Sequence, residues 1–109
     1  MPDAGAALEA LGDPSRRAIV ELLGGGPRPV GEIAAALPIS RPAVSRHLRL
    51  LKEAGLVDDD ARGTRRVYHL RADGVEAIRA YFHTVWGDAA GRFRLVAENT
   101  RPGTGKDQP

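Results

Sequence analysis

The cations of this chain bunch in its middle third. The stretch "ISRPAVSRHLRLLKEAGLV", residues 39–57, holds Arg41, Arg46, Arg49 and Lys52, with hydroxyls at Ser40 and Ser45. A second group follows in "ARGTRR": Arg62, Thr64, Arg65 and Arg66. Guanidinium forks and hydroxyls of this kind bind anions, through charge-assisted hydrogen bonds. A catalytic set is missing beside them. There is no carboxylate pair at a working spacing, no nucleophile next to a base, and no glycine-rich phosphate loop after a strand. The sequence has no cysteine, which removes disulfides, thiolate metal ligands and thiol redox sensing together. No cofactor and no metal are expected.

The charge is uneven. Residues 41–71 carry eight cations against four carboxylates, Glu53 and Asp58 to Asp60, whereas the whole chain of 109 residues is only +2. A basic centre in a nearly neutral chain suits an anionic partner met by one face. Charge alone fits a solvated face equally well, so the spacing has to decide.

On a wheel of 100° per residue, Val44, Leu48 and Leu51 fall within about 60° of one another and form an inward stripe. Pro42, Arg46 and Arg49 lie opposite, with Ser45 on the flank. Pro42 does not contradict this helix. With Ser40 as the cap it falls in the first turn, where its missing N–H leaves no bond unmade. Gly55 ends the helix. An outward arginine can pair with O6 and N7 of guanine in a major groove. Ser45 and the cap region near Ser40 can donate to phosphate or a base edge. Arg41 and Lys52 lie nearer the core edges and suit phosphate or solvent.

These side chains need a frame. "DAGAALEALGD" spaces Ala7, Leu8 and Leu11 as a short first helix. Asp13 caps a second, with Pro14 at its first position and Ile19, Leu22 and Leu23 on one stripe. Gly24, Gly25 and Gly26 stop it. "VGEIAAALPIS" is a short third helix, with Ile33, Ala34 and Leu37 inward, ended by Pro38. After the fourth helix, Val57, Val67, Tyr68 and Leu70 flank a turn at Gly63, a hairpin signature. A turn centred on Arg62 and Gly63 sets Asp60 opposite Arg65 and Asp59 opposite Arg66, so opposite charges pair across the ribbon. In a final helix Val75, Ile78, Phe82, Val85 and Ala89 step by 3, 4, 3, 4, a heptad seam. Tyr81, Trp86, Phe93 and Val96 widen its apolar surface, and the surplus suits a partner helix.

The expected fold is mainly α with a small β-hairpin, in α-α-α-α-β-β-α order. Two short helices joined by a tight turn, the second basic, followed by a basic hairpin, describe a winged helix-turn-helix. Residues 1–98 are expected to form one domain and 99–109 a disordered tail. No apolar run approaches the roughly 20 residues that span a bilayer, and no signal peptide opens the chain. A cytoplasmic location without membrane partners is the expectation.

"LGDPSRRAIVELL", "VGEIAAALPISRPAVSRHLRLLKEAGLV" and "RGTRRVYHL" resemble the ArsR/SmtB family of bacterial winged-helix repressors, over about residues 5–85. The resemblance implies a transcriptional regulator: a homodimer on a palindromic operator in double-stranded DNA, joined through its first and last helices. It places Ser40, Arg41, Pro42, Ser45, Arg46 and Arg49 at recognition-helix positions. From the hairpin, Arg62, Thr64, Arg65 and Arg66 would add wing contacts. Leu8, Leu11, Val75, Ile78, Phe82, Val85, Trp86 and Ala89 would form the dimer interface.

The chain departs from the family at its metal sites. Metal-sensing members carry a cysteine motif in the third helix, where "GEIAAAL" offers only Glu32. On the last helix Asp73, Glu76, His83 and Asp88 miss the usual spacing. His47 matches a common family position and is expected to make a structural hydrogen bond. His69 reads as surface or packing, and His83 and Trp86 as interface. Asp58 to Asp60 would repel phosphate beside the wing unless paired. Two other readings stay open: a winged-helix protein-interaction module without specific DNA binding, and a metal-responsive repressor acting through His83 and carboxylates.

Overall fold

The structure, a computed structural model, describes residues 3–87. Five α-helices and three short strands follow in order: α1 (Ala4–Ala10), α2 (Pro14–Leu23), β1 (Arg28–Pro29), α3 (Val30–Ala36), α4 (Arg41–Glu53), β2 (Val57–Arg62), β3 (Arg65–Leu70) and α5 (Ala72–Phe82). A π-helical turn, His83–Gly87, closes the described chain. The fold is a winged helix-turn-helix, as the sequence implies. The chain divides into two compact units, one ending at Ile78 and one beginning at Arg79.

In the first unit, side-chain caps start α1, α2 and α4. Asp3 accepts from the backbone of Gly5 and Ala6, and Asp13 from Ser15 and Arg16. These bonds satisfy N–H groups that the first turn cannot pair internally. The N–H of Arg16 and then that of Ser15 hold the Asp13 carboxyl below its ordinary range. Ile19, Ile33, Val44, Leu48, Leu51, Leu56 and Val57 are fully buried and join all the central elements in one core. α3 stops at Leu37, which takes an extended backbone because Pro38 follows.

The end of α4 is a Schellman motif. Gly55 takes a φ of 81°, its N–H donates to Lys52, and the N–H of Leu56 donates to Leu51. Leu51 and Leu56, both buried, supply the accompanying apolar contact. Immediately beyond, the N–H of Arg71 donates to the carbonyl of Leu56 at 2.8 Å, which docks the start of α5. Gly74 packs there so closely that an added Cβ would collide with the carbonyl oxygen of Gly55.

Two expectations from the sequence are corrected here. The sheet has three strands in the order β1-β3-β2, not a lone hairpin. Arg28 and Pro29 pair with Tyr68 and Val67. The hairpin turn is Gly63-Thr64, not Arg62-Gly63, so Arg62 faces Arg65, Asp60 faces Val67 and Asp59 faces Tyr68. The reason is backbone sterics. A two-residue turn with glycine second would force Arg62 to a positive φ; with glycine first, Gly63 alone carries it, at 65°.

In the second unit, from Arg79 to Gly87, Tyr81 and Phe82 meet edge to face at 5.8 Å and 73°. Tyr81, Phe82, Val85 and Trp86 are all exposed, Trp86 most of all at 59%. Ala89, with Asp88, Phe93 and Val96 from the same expected helix, lies outside the described residues, as does the tail.

Candidate nucleic-acid interface

α4 sorts its side chains as the wheel requires. Val44, Leu48 and Leu51 are wholly buried, while Ser40, Arg41, Pro42, Ser45, Arg46 and Arg49 are exposed. The hydroxyl oxygen of Ser40 caps the helix by accepting from Ala43 at 3.2 Å. Pro42 lies in the first turn. Its rigid φ and Ser40's cap together fix where the outward arginines emerge.

The wing brings its own cations to the same side. An open cleft of about 570 Å³ is lined by Arg41 and Ser45 from α4, and by Thr64, Arg65 and Arg66 from the hairpin. Pro29, Val30, Gly31, Glu32 and Tyr68 complete its wall. Five of the ten candidate contacts therefore share one concavity. Ser40 at the cap of α4 and Pro42, Arg46 and Arg49 on it lie outside the cleft, and Arg62 stands near the hairpin tip, 3.9 Å from Asp60. Arg41, Arg46, Arg49 and Arg65 enter no ion pair among the described residues. Their charge is available to a ligand.

The acidic triplet is largely absorbed. The carboxylate of Asp59 is nearly buried, 4% exposed, between the ammonium of Lys52 at 2.6 Å and the Nε of Arg66 at 2.5 Å. The Asp59–Arg66 pair expected from the sequence forms, but diagonally across the ribbon rather than face to face. Lys52 foremost, and then Arg66, hold the Asp59 carboxyl below its ordinary range. Asp58 accepts from the backbone of Asp59, and Asp60 lies 3.6 Å from the ring of His69. The expected Asp60–Arg65 pair is absent because the register differs by a turn position. Lys52, expected to face phosphate or solvent, faces Asp59 instead.

His47 makes a structural hydrogen bond, as the sequence suggests. Its Nδ1 lies 3.4 Å from Nη1 of Arg16. Arginine can only donate, so this nitrogen accepts. The same Arg16 donates to the carbonyl of Ala10 at 2.7 Å. Sequence reasoning did not find Arg16, nor the cleft wall made by Pro29, Val30 and Tyr68. Both depend on the packing of distant segments, for which no local pattern exists.

Residues 11–60 match the helix-turn-helix domain family. The HTH-type transcriptional regulator Rv2034 of Mycobacterium tuberculosis is 55% identical over 80 residues, which are 73% of this chain and 75% of that one. A solved structure described as a possible transcriptional regulator for arsenical resistance is 43% identical, with a TM-score of 0.70, covering 84% of this chain and 94% of its own. The chain belongs to the ArsR/SmtB family. Another solved relative is the homodimeric winged helix-turn-helix DNA-binding domain of Mb0332 from Mycobacterium bovis, a possible ArsR-family regulator. It is 30% identical with a TM-score of 0.61, over 84% of this chain and 82% of that one. This ArsR/SmtB member is thus a helix-turn-helix transcriptional regulator. Among its described residues no group of three or more His, Cys, Asp or Glu could hold a metal ion, and no helix is long and apolar enough to cross a membrane.

Proposed function

We propose that the chain is a homodimeric repressor that binds a palindromic DNA operator with α4 and the β2–β3 wing. The observation that carries this reading is the shared cleft: Arg41 and Ser45 of α4 face Thr64, Arg65 and Arg66 of the wing across one open concavity. A helix with an exposed arginine face, flanked by a cationic ribbon, fits a major groove and its bordering backbone. Arg46 and Arg49 are the base readers. Ser40, Pro42, Arg41 and the wing residues Arg62, Thr64, Arg65 and Arg66 position the helix against phosphates.

The dimer forms through the first and last helices. In the first unit Leu8, Leu11 and Ile78 are half-buried and Val75 is exposed; in the second Phe82, Val85 and Trp86 are exposed, and each supplies apolar surface for a partner. A two-fold dimer sets its recognition helices about 34 Å apart, one helical turn of DNA. Blocking transcription is then a matter of occupying a promoter.

Selection of bound fragments from genomic DNA, followed by footprinting at stated salt, tests this. The expected result is a protected palindrome with half-sites about 10 base pairs apart. If no fragment outcompetes nonspecific DNA, the proposal fails. Salt-insensitive binding to a protein instead would point to an interaction module.

A further inference from the structure

A carboxylate is a poor neighbour for a DNA-binding face, yet Asp59 holds Arg66, which lines the cleft, together with Lys52 from the last turn of α4. It lies on β2 and joins α4, through Lys52, to β3, through Arg66. Three elements therefore meet on one side chain that is almost wholly screened from solvent. The contacts are not a by-product of strand pairing. Asp59 faces Tyr68 in the ladder, and Arg66 reaches it diagonally.

We infer that Asp59 is a positioning residue that locks the wing against the recognition helix, and that it makes binding specific at the expense of nonspecific affinity. The inference rests on the DNA-binding reading above. Two effects follow from the geometry. The spacing across the cleft, between Arg41 and Ser45 on one wall and Thr64 and Arg65 on the other, is held by the Lys52–Asp59–Arg66 bridge. Lys52 is also withheld from phosphate, because its ammonium is already bound to Asp59 at 2.6 Å. Nonspecific binding depends on the number of phosphates neutralised, whereas reading a site depends on register. The bridge lowers the first and secures the second. At neutral pH the Asp59 carboxyl is ionised and both partners are cations, so the bridge is fully charged.

The test uses the full chain and two labelled duplexes: a selected operator fragment and a scrambled duplex of equal length and composition. Affinities are measured by fluorescence anisotropy across a salt series. Asp59→Asn is expected to tighten binding to the scrambled duplex and to steepen its log–log salt slope by about 0.9 for each cation released. The ratio of operator to scrambled affinity should fall about tenfold. Asp58→Asn removes the same charge but leaves both ion pairs of Asp59 in place, and its amide oxygen can still accept from the Asp59 backbone, so the ratio and slope should stay near the parent values. Lys52→Gln should barely change the slope in the parent, but lower it by about 0.9 in the Asp59→Asn background. Equal effects of Asp58→Asn and Asp59→Asn would overturn the inference, since only bulk charge would then matter. So would a Lys52→Gln slope change already present in the parent. That last arm still decides if Asp59→Asn does not fold. If no operator exists, the DNA reading falls, but the slopes on the scrambled duplex still test the bridge.

Discussion

Gly74→Ala offers a sharp test of how α5 is docked. The new Cβ would collide with the carbonyl oxygen of Gly55, and it would also lie 3.0 Å from the carbonyl carbon of Gly55 and 3.2 Å from Cα of Leu56. All three are backbone atoms, so no side chain can swing aside. Overpacking usually costs about 1–3 kcal/mol, and a backbone obstacle belongs at the upper end. Any partial retreat of α5 also stretches the Arg71 N–H to Leu56 bond of 2.8 Å, adding about 1 kcal/mol. Alanine returns up to about 1 kcal/mol of helix propensity, less in a first turn. The net loss is about 2–4 kcal/mol, a large share of the 5–15 kcal/mol typical of a domain, or a fall in Tm of roughly 10–30 °C. Urea titration and thermal melting followed by far-UV circular dichroism read it directly. Gly31→Ala is the control, because its Cβ would meet only Nη1 of Arg41 at 3.8 Å. A Gly74→Ala protein within about 0.5 kcal/mol of the parent would refute the close approach.

Other predictions concern binding, pH and assembly. Arg46→Ala and Arg49→Ala should each cost about 1–3 kcal/mol of operator affinity and relax specificity at one base position, with Arg46→Lys failing to restore it; competition binding against single-base operator variants checks both. Because Lys52 and Arg66 depress the Asp59 carboxyl in the fold, its contribution to stability is complete above the ordinary carboxylate range. That contribution is lost as pH falls through the range toward the lower folded value, so Asp59→Asn should flatten the acid limb of a urea-midpoint profile. The single tryptophan, Trp86, is 59% exposed in one chain; its emission should shift to the blue as concentration drives dimerisation, and Trp86→Ala should weaken the dimer in sedimentation equilibrium.

The helix boundaries were legible because capping is local chemistry. Ser40 with Pro42, Asp13 with Pro14, and Gly55 each act within a few residues of themselves. The outward placement of Arg46 and Arg49 followed from the same periodicity. What the sequence hid was set at a distance. Arg28 and Pro29 form a strand only because the free edge of β3 is there to receive them, and two residues ending in proline carry no strand pattern. The hairpin register is hidden because the sequence marks a turn at Gly63 but not which of the two turn positions needs the positive φ. Lys52 looked free on the wheel, since the wheel cannot show a carboxylate arriving from the next strand.

The strand order has a consequence for solubility. A short sheet with open edges invites another copy to add a strand. Here β3 is enclosed, and the two outer strands are guarded differently. β1 is only two residues long, and Pro29 has no N–H to offer. β2 carries Asp60 with its carboxylate 55% exposed, so a second copy laid alongside it would bring like charges together. The acidic run, out of place beside a wing proposed to contact DNA, thus also disfavours the zipping of wings to one another.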